Sequence, residues 1–222
     1  MLSRTLAGMN RDLHAFRQTY VKGELLIEHM SDHPMQQFAA WYQEIEEDGG
    51  VKEPNAMTLA TLGEDGFPKS RIVLLKEYDQ DGFVFYTNYE SEKGKSIEKH
   101  PQVGVSFFWP SMERQVIIKG NVSKVAPERS DTYFNARPKD SQLGALVSDQ
   151  SRVIENRDVL ENKMVALKAK YADAVIERPA HWGGYLIEPV SIEFWQGRPS
   201  RLHDRIRYRM ENQKWIKERL AP

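Results

Sequence analysis

A mainly β α+β fold, a barrel flanked by helices, is predicted by three observations. β-branched and aromatic runs recur between short turn sequences from residue 56 to residue 125. Apolar stripes at helical spacing lie before and after that stretch. No shift in composition marks a linker, so residues 1–222 are expected to form a single domain.

The N-terminal segment, 1–50, reads as helical. Leu6, Met9, Leu13, Phe16 and Tyr20 recur at helical spacing and predict an amphipathic helix over about 5–18. Pro34 then fits the first turn of a second helix, with Asp32 or His33 as its cap. Phe38, Trp41, Tyr42 and Ile45 form its apolar stripe, and Asp48-Gly49-Gly50 stops it.

Residues 56–125 read as the main barrel strands. Strands are predicted at 57–62 and 69–76, then at 83–88, 103–109 and 114–125. Ser70-Arg71-Ile72-Val73-Leu74-Leu75-Lys76 and Phe83-Val84-Phe85-Tyr86-Thr87-Asn88 are read as one hairpin, covered on both faces, across a turn ending in Asp81-Gly82. A short helix capped by Ser91 interrupts the series. About five strands with short turns suit a meander or Greek key that closes into a barrel.

Residues 127–171 read as helices. Pro127 opens one that Pro138 ends, Asp140 caps a short second one, and Leu160, Met164, Leu167 and Tyr171 stripe a third. Residues 182–222 return to strands that complete the barrel, with a final hairpin of 201–209 and 214–219 around residues 211–213.

Composition excludes several functions. Apolar residues make up 40% and charged residues 28%, ordinary for a globular protein. A net charge of -1 gives no global field to recruit nucleic acid or an anionic membrane. Zero cysteines exclude disulfides, thiolate catalysis and cysteine metal sites, and make a reducing cytoplasm the simplest setting. No apolar run approaches the roughly 20 residues that span a bilayer, and no signal-peptide pattern opens the chain. Rossmann, P-loop and nucleophile-elbow motifs are missing. His29 and His33 lack a third ligand, so no metal site is expected.

What remains is a scatter of cations beside apolar runs, each of which alone reads as a surface charge or an ion pair. Tyr133 and Arg137, four apart, share one helical face, with Ser141 just beyond Pro138. Their hydroxyls and guanidinium suit a phosphate, and they equally suit an ordinary packed tyrosine beside a surface arginine. Arg201, His203 and Arg205 would share one strand face beside Trp195, with Glu193, Asp204 or an anionic ligand compensating.

Five ordered motifs make the chain resemble the pyridoxamine 5'-phosphate oxidase family. They are Arg71-Ile72-Val73-Leu74-Leu75-Lys76, Phe85-Tyr86-Thr87-Asn88, Glu113-Arg114-Gln115-Val116, Ser148-Asp149-Gln150-Ser151, and Glu193-Phe194-Trp195-Gln196-Gly197 with Arg201-Leu202-His203-Asp204-Arg205. The terminal Arg219-Leu220-Ala221-Pro222 matches as well.

The resemblance implies an FMN-binding split β-barrel acting as a homodimer, with 182–222 contributing to the dimer region. It implies oxidation of pyridoxamine 5'-phosphate and pyridoxine 5'-phosphate to pyridoxal 5'-phosphate, with O2 as acceptor and H2O2 released. Carried over, the flavin positions are Arg71, Ile72, Val73, Leu74, Leu75, Lys76, Tyr86, Thr87, Lys93, Gln115, Gln150, Ser151, Trp195 and Arg205. The substrate positions are Lys76, Tyr133, Arg137, Ser141, Arg201, Leu202 and His203, with Arg17 and Tyr20 closing over the site. Arg201 and His203 are the implied catalytic pair, set against the pyridine ring.

One position departs from the family pattern: Glu92 stands where a basic residue is common, which implies weaker flavin retention. Hydride transfer needs a held flavin and a held carbon, not a protein nucleophile, so the missing cysteine and serine motifs are consistent with it. A related FMN oxidase acting on another ring, or a flavin or pyridoxal phosphate carrier, would share the fold. The full phosphate set Lys76, Tyr133, Arg137 and Ser141 favours the vitamin B6 substrate.

Overall fold

The computed structural model describes residues 12–222. Nine strands form one antiparallel sheet: β1 (Ala56–Leu62), β2 (Pro68–Leu74), β3 (Glu77–Tyr78), β4 (Phe83–Asn88), β5 (Gln102–Trp109), β6 (Arg114–Lys124), β7 (Trp182–Gln196), β8 (Asp204–Glu211) and β9 (Lys214–Leu220). The main path runs β2-β1-β5-β6-β7-β4-β3, and β8 and β9 continue from β7.

This order forces the sheet to curl. β2 and β3 lie at opposite ends of the hydrogen-bonded path, yet only Leu75 and Lys76 separate them in sequence. The two ends must therefore meet, and the sheet is a split barrel whose seam is the Leu75-Lys76 step. There Leu75 N donates to Asn55 O at 2.8 Å and Lys76 N to Val84 O at 2.8 Å, stitching the crossing chain to both sides.

The seam overturns one predicted pairing. β2 pairs with β1, not with β4; β4 instead pairs with two-residue β3 and with β7. β2 is an edge strand with Ile72 exposed, whereas β4 is covered on both faces as expected. The first of the strands predicted within 182–222 is long: the first half of β7 serves β4 and its second half serves β8.

Helix α1 (Pro34–Asp48) is capped by His33, whose Nδ1 accepts from Met35 N, and is stopped by left-handed Gly49. Its stripe seals the barrel: Phe38 lies edge-on to Phe83 at 4.8 Å, and Trp41 edge-on to Phe194 at 5.1 Å. Helix α2 (Glu92–Lys99) is capped by Ser91 as predicted.

Helices α3 (Pro127–Ala136), α4 (Lys139–Val147) and α5 (Asp158–Lys170) build a second, smaller core with Phe134, Leu143, Ile176 and Trp182. Asp140 does not cap α4; Pro138 occupies that position, and Asp140 bonds Lys168 instead.

The predicted N-terminal helix is not borne out over 12–18. The segment is extended apart from a turn at His14-Ala15. Asp12 accepts from His14 N at 2.7 Å, a local bond that competes with helix, and Leu13 and Phe16 are exposed. Leu6 and Met9 lie outside the described residues.

Candidate active site

The seam opens into a cavity of about 640 Å³. β2 supplies Ile72, Val73 and Leu74; the crossing step supplies Lys76; β4 supplies Tyr86 and Thr87. Lys93 enters from α2, Tyr133 and Arg137 from α3 and its end, Ser141 from α4, and Gln150 from the polar loop beyond. Residues spread over nearly eighty positions meet here because the barrel's two ends meet here.

The relation of Arg71 to Lys76, five residues on, follows from the same feature. A continuous strand would place them on opposite faces. The strand ends at Leu74, so that alternation does not reach Lys76.

At one end of the cavity Lys93 Nζ donates to Gln150 Oε1 at 2.7 Å and to Thr87 Oγ1 at 3.2 Å. Burial, and then the charge of Arg71, push the Lys93 pKa down to about 8. Arg71 reaches through β1, donating to Thr61 Oγ1 at 2.8 Å and to Leu59 O at 3.2 Å, and burial lowers its pKa too. Lys93 and Arg71 make no ion pair with a carboxylate among the described residues. A neighbouring opening of about 520 Å³ is lined by both, and by Lys69, Glu92, Gln150 and Ser151. Glu92 pairs there with Lys69, which also holds Asp65 at 3.2 Å.

At the other end the Arg137 guanidinium lies 4.6 Å from the centre of the Trp182 ring, and its Nη1 is buried without a hydrogen-bond partner. Tyr86 stacks on Tyr133 at 4.0 Å, while the Tyr86 hydroxyl donates to Glu77 Oε1 at 2.6 Å. Burial and that carboxylate raise the Tyr86 pKa, so it stays a neutral phenol. Opposite Tyr86 in the β4–β7 ladder stands Gly184; a Cβ there would lie 2.8 Å from the Tyr86 ring.

A second group of predicted residues gathers elsewhere. Arg17, Tyr20, Arg201 and His203 line a separate cavity of about 530 Å³, which shares no lining residue with the first. Val21 N and Lys22 N both donate to buried Glu113, pinning this N-terminal strap across the end of β7. The Tyr20 ring then crosses Gly197 so closely that a Cβ would lie 2.7 Å from it. His203 packs against Trp195 at 4.7 Å, and its Nδ1 accepts from Arg198 N at 3.1 Å.

Two sequence expectations change here. Arg201 and His203 precede β8 in a tight turn, where Ser200 and Arg201 have φ of 57° and 61°, so a strand period does not align them with Arg205. Arg205 is instead held by both oxygens of Glu193, at 2.7 and 3.1 Å. Gln115, Trp195 and Arg205 form one row across β6, β7 and β8. Neither that row nor the exposed Leu202 lines the seam cavity. Two residues the sequence reading did not single out also belong to the site region: Trp182, a wall of the seam cavity, and Arg198, beside His203. An aromatic opening a strand four residues after an arginine gave no chemical signal. Among the described residues no group of acids and histidines is arranged to hold a metal, and no helix is long and apolar enough to cross a membrane.

Comparison with known proteins adds a family. The family model for pyridoxamine 5'-phosphate oxidase matches residues 28–171, and that for the pyridoxine 5'-phosphate oxidase C-terminal dimerisation region matches 182–222. A pyridoxine/pyridoxamine 5'-phosphate oxidase of Flavobacterium psychrophilum is 52% identical over 96% of this chain and 100% of its own length. One from Actinobacillus succinogenes is 53% identical over 95% of this chain and 100% of its own. The crystal structure of PhzG from Burkholderia lata, in complex with tetrahydrophenazine-1-carboxylic acid, superposes with a TM-score of 0.84 at 25% identity, over 91% of this chain and 100% of that one. An FMN-binding, pyridoxamine 5'-phosphate oxidase-related protein of Nostoc punctiforme shares the fold, with a TM-score of 0.64 at 18% identity over 83% of this chain and 96% of that one. With half its residues shared with such oxidases over nearly its whole length, the chain belongs to the pyridoxine/pyridoxamine 5'-phosphate oxidase family.

Proposed function

We propose that this protein oxidises pyridoxamine 5'-phosphate and pyridoxine 5'-phosphate at the 4'-carbon to pyridoxal 5'-phosphate, with FMN as cofactor and O2 as acceptor. One observation carries the reading. A single cavity holds two sets of anion-binding groups with no carboxylate among its lining residues: Lys93 with Thr87 and Gln150, and Arg137 with Lys76, Tyr133 and Ser141. Two phosphorylated ligands need two such sets.

The donor chemistry fits FMN. Arg71 and Lys93 are neighbouring cations, and the charge of Arg71 lowers the proton affinity of Lys93; a phosphate monoester between them would offset it. Thr87, Gln150 and Ser151 would complete its hydrogen bonds. FMN, when bound, supplies the two-electron chemistry, taking hydride from the substrate and returning the electrons to O2 with release of H2O2.

The chain's own residues bind and orient. The unpartnered Nη1 of Arg137 gives the substrate phosphate a guanidinium that no protein acid has satisfied. Lys76 adds charge, Tyr133 and Ser141 add hydroxyl donors, and the stacked rings of Tyr86, Tyr133 and Trp182 exclude water from that side. His203, with Nδ1 occupied as an acceptor, carries its proton on Nε2 and can donate it toward a pyridine ring. Arg201 lies beside it and would balance charge on that ring as hydride leaves.

Arg201 and His203 reach the seam cavity from a second copy of the chain in this reading, which makes the homodimer the functional unit. The match to a dimerisation region over 182–222 supports it. β7 joins that region to the rest of the sheet, which supports one domain over the whole chain. A cysteine-free chain suits a cytoplasmic setting.

The test is direct. Purified protein should be yellow and should consume O2 and form H2O2 with either phosphorylated vitamer. Yellow protein inert toward both, yet active on a phenazine precursor, would move the assignment to the PhzG-type reaction. Protein unable to take up FMN would overturn it.

A further inference from the structure

We propose that Trp182 is a positioning residue for the substrate phosphate: its indole face holds the Arg137 guanidinium, and its stacking holds Tyr133, so that both present their donors to the seam cavity. The proposal rests on the phosphate assignment made above for Arg137 and Tyr133.

The geometry is that of a platform. Trp182 opens β7 opposite Asn88, two residues along from Tyr86 on the same face of the β4–β7 ladder. Its ring lies 13° from the Tyr86 plane and 8° from the Tyr133 plane, with centres 5.6 and 6.1 Å away. Tyr86 and Tyr133 stack at 4.0 Å. Three nearly parallel rings therefore fix the Tyr133 phenol, while Phe134 closes edge-on against Trp182 at 5.2 Å.

Arg137 has no carboxylate partner among the described residues. Two rings are left to orient it, Trp182 and, farther off at 5.8 Å, Phe134. Attraction to the indole face, with the Arg137 carbon 4.6 Å from its centre, supplies that orientation. A flat guanidinium lying over a ring points its N–H groups sideways, the arrangement that a phosphate engages through two oxygens. An acid in place of the indole would orient Arg137 equally well but would compete with the phosphate. An aromatic face orients it without neutralising it.

Backbone and ion-pair bonds hold the platform in place. Trp182 N donates to Pro179 O at 3.0 Å, and Arg178 donates to Trp182 O at 2.7 Å while pairing with Asp131 at 2.6 Å. Asp131 lies on α3, the helix that carries Tyr133 and leads to Arg137. Trp182 could instead be packing alone, since it is 7% exposed within the small core. The two roles differ in which ligand atoms they affect.

The experiment titrates FMN-loaded enzyme with 4'-deoxypyridoxine 5'-phosphate, which has no oxidisable group at the 4'-carbon, and with unphosphorylated 4'-deoxypyridoxine. Trp182→Leu is expected to weaken the phosphorylated ligand about tenfold and to leave the unphosphorylated one and FMN affinity unchanged. Trp182→Phe, a smaller face, is expected to weaken the phosphorylated ligand about threefold. Equal weakening of both ligands by both variants, or no weakening by either, overturns the proposal. Should Trp182→Leu not fold, Trp182→Phe decides by the same comparison. Wild-type enzyme that binds both ligands equally removes the phosphate assignment and the proposal with it; a wild-type preference that both variants retain in full removes the proposal alone.

Discussion

Lys93 Nζ lies 2.7 Å from Gln150 Oε1, so one hydrogen bond joins the first turn of α2 to the polar loop after α4. The same ammonium is held near the charge of Arg71, and burial with that charge brings its pKa to about 8. In the ligand-free protein Lys93 is therefore a cation at pH 7 and increasingly neutral above pH 8. A phosphate binds the cation. FMN affinity should fall by up to about tenfold per pH unit above 8, and Lys93→Met should flatten that slope. Flavin fluorescence titrations between pH 7 and 9.5 check it; a wild-type slope unchanged by Lys93→Met would contradict it.

The linked stability has a definite sign. The unfolded lysine keeps its proton to about pH 10.4, whereas the folded one gives it up near 8. Between those values the unfolded state holds more protons, so this group's destabilising effect is full below pH 8 and fades as pH rises toward 10.4. Ligand-free Lys93→Met should melt above ligand-free wild type at pH 7, with the gap narrowing by pH 10. A scanning calorimeter reads both; equal melting temperatures at pH 7 would refute the link.

Glu92 is paired with Lys69, which also holds Asp65 at 3.2 Å. Lys69, one of the two cations that β2 brings to the second opening, is thus offset by two acids. Glu92→Arg changes the local charge by two and frees Lys69 from one partner. FMN should bind about tenfold tighter, and Glu92→Gln should fall between the two. The gain should shrink with added salt, since the site lies near the surface. Titration at two ionic strengths is the measurement, and unchanged affinity for Glu92→Arg would show that the pair lies outside the phosphate's field.

How much of this was legible in the sequence depends on the reach of each signal. Caps and breakers act locally, so His33, Ser91, Pro127 and Pro138 set helix bounds that the structure keeps. Pairing is not local. Asp81-Gly82 correctly marks a turn, but it joins β4 to two-residue β3, because the preceding run leaves its strand at Leu74 to cross the seam. The helical stripe at Leu13 and Phe16 failed because both side chains are exposed, and periodicity does not report exposure. The proposed site residues were legible as motifs; their division between two cavities was not, since it depends on how the sheet rolls. Trp182 carried no motif at all.

Arg201 sits beside a backbone held at positive φ, in a cavity distinct from the cation pair formed by Arg71 and Lys93. Its loss should therefore spare flavin binding. Arg201→Ala is expected to lower kcat at least a hundredfold while FMN occupancy stays within about twofold of wild type. Absorbance of the purified protein and steady-state O2 uptake give the two numbers. Equal losses in both would place Arg201 in the flavin cradle and remove it from the substrate's ring.

The division of the site between two cavities makes a prediction that no single variant can. If each catalytic centre takes its phosphate cradle from one copy and its Arg201 loop from the other, Arg137→Ala and Arg201→Ala damage different halves of the same centre. Each homodimer should be nearly inactive. Unfolded together and refolded at equal concentration, half of the dimers would be mixed, each with one centre intact and one doubly damaged. Activity should recover to about a quarter of wild type. Chain exchange is confirmed by a tag on one variant. If tagged mixed dimers form and activity stays at the level of the separate homodimers, Arg201 acts within its own chain, and the strap over His203 would have to open toward the seam of the same subunit.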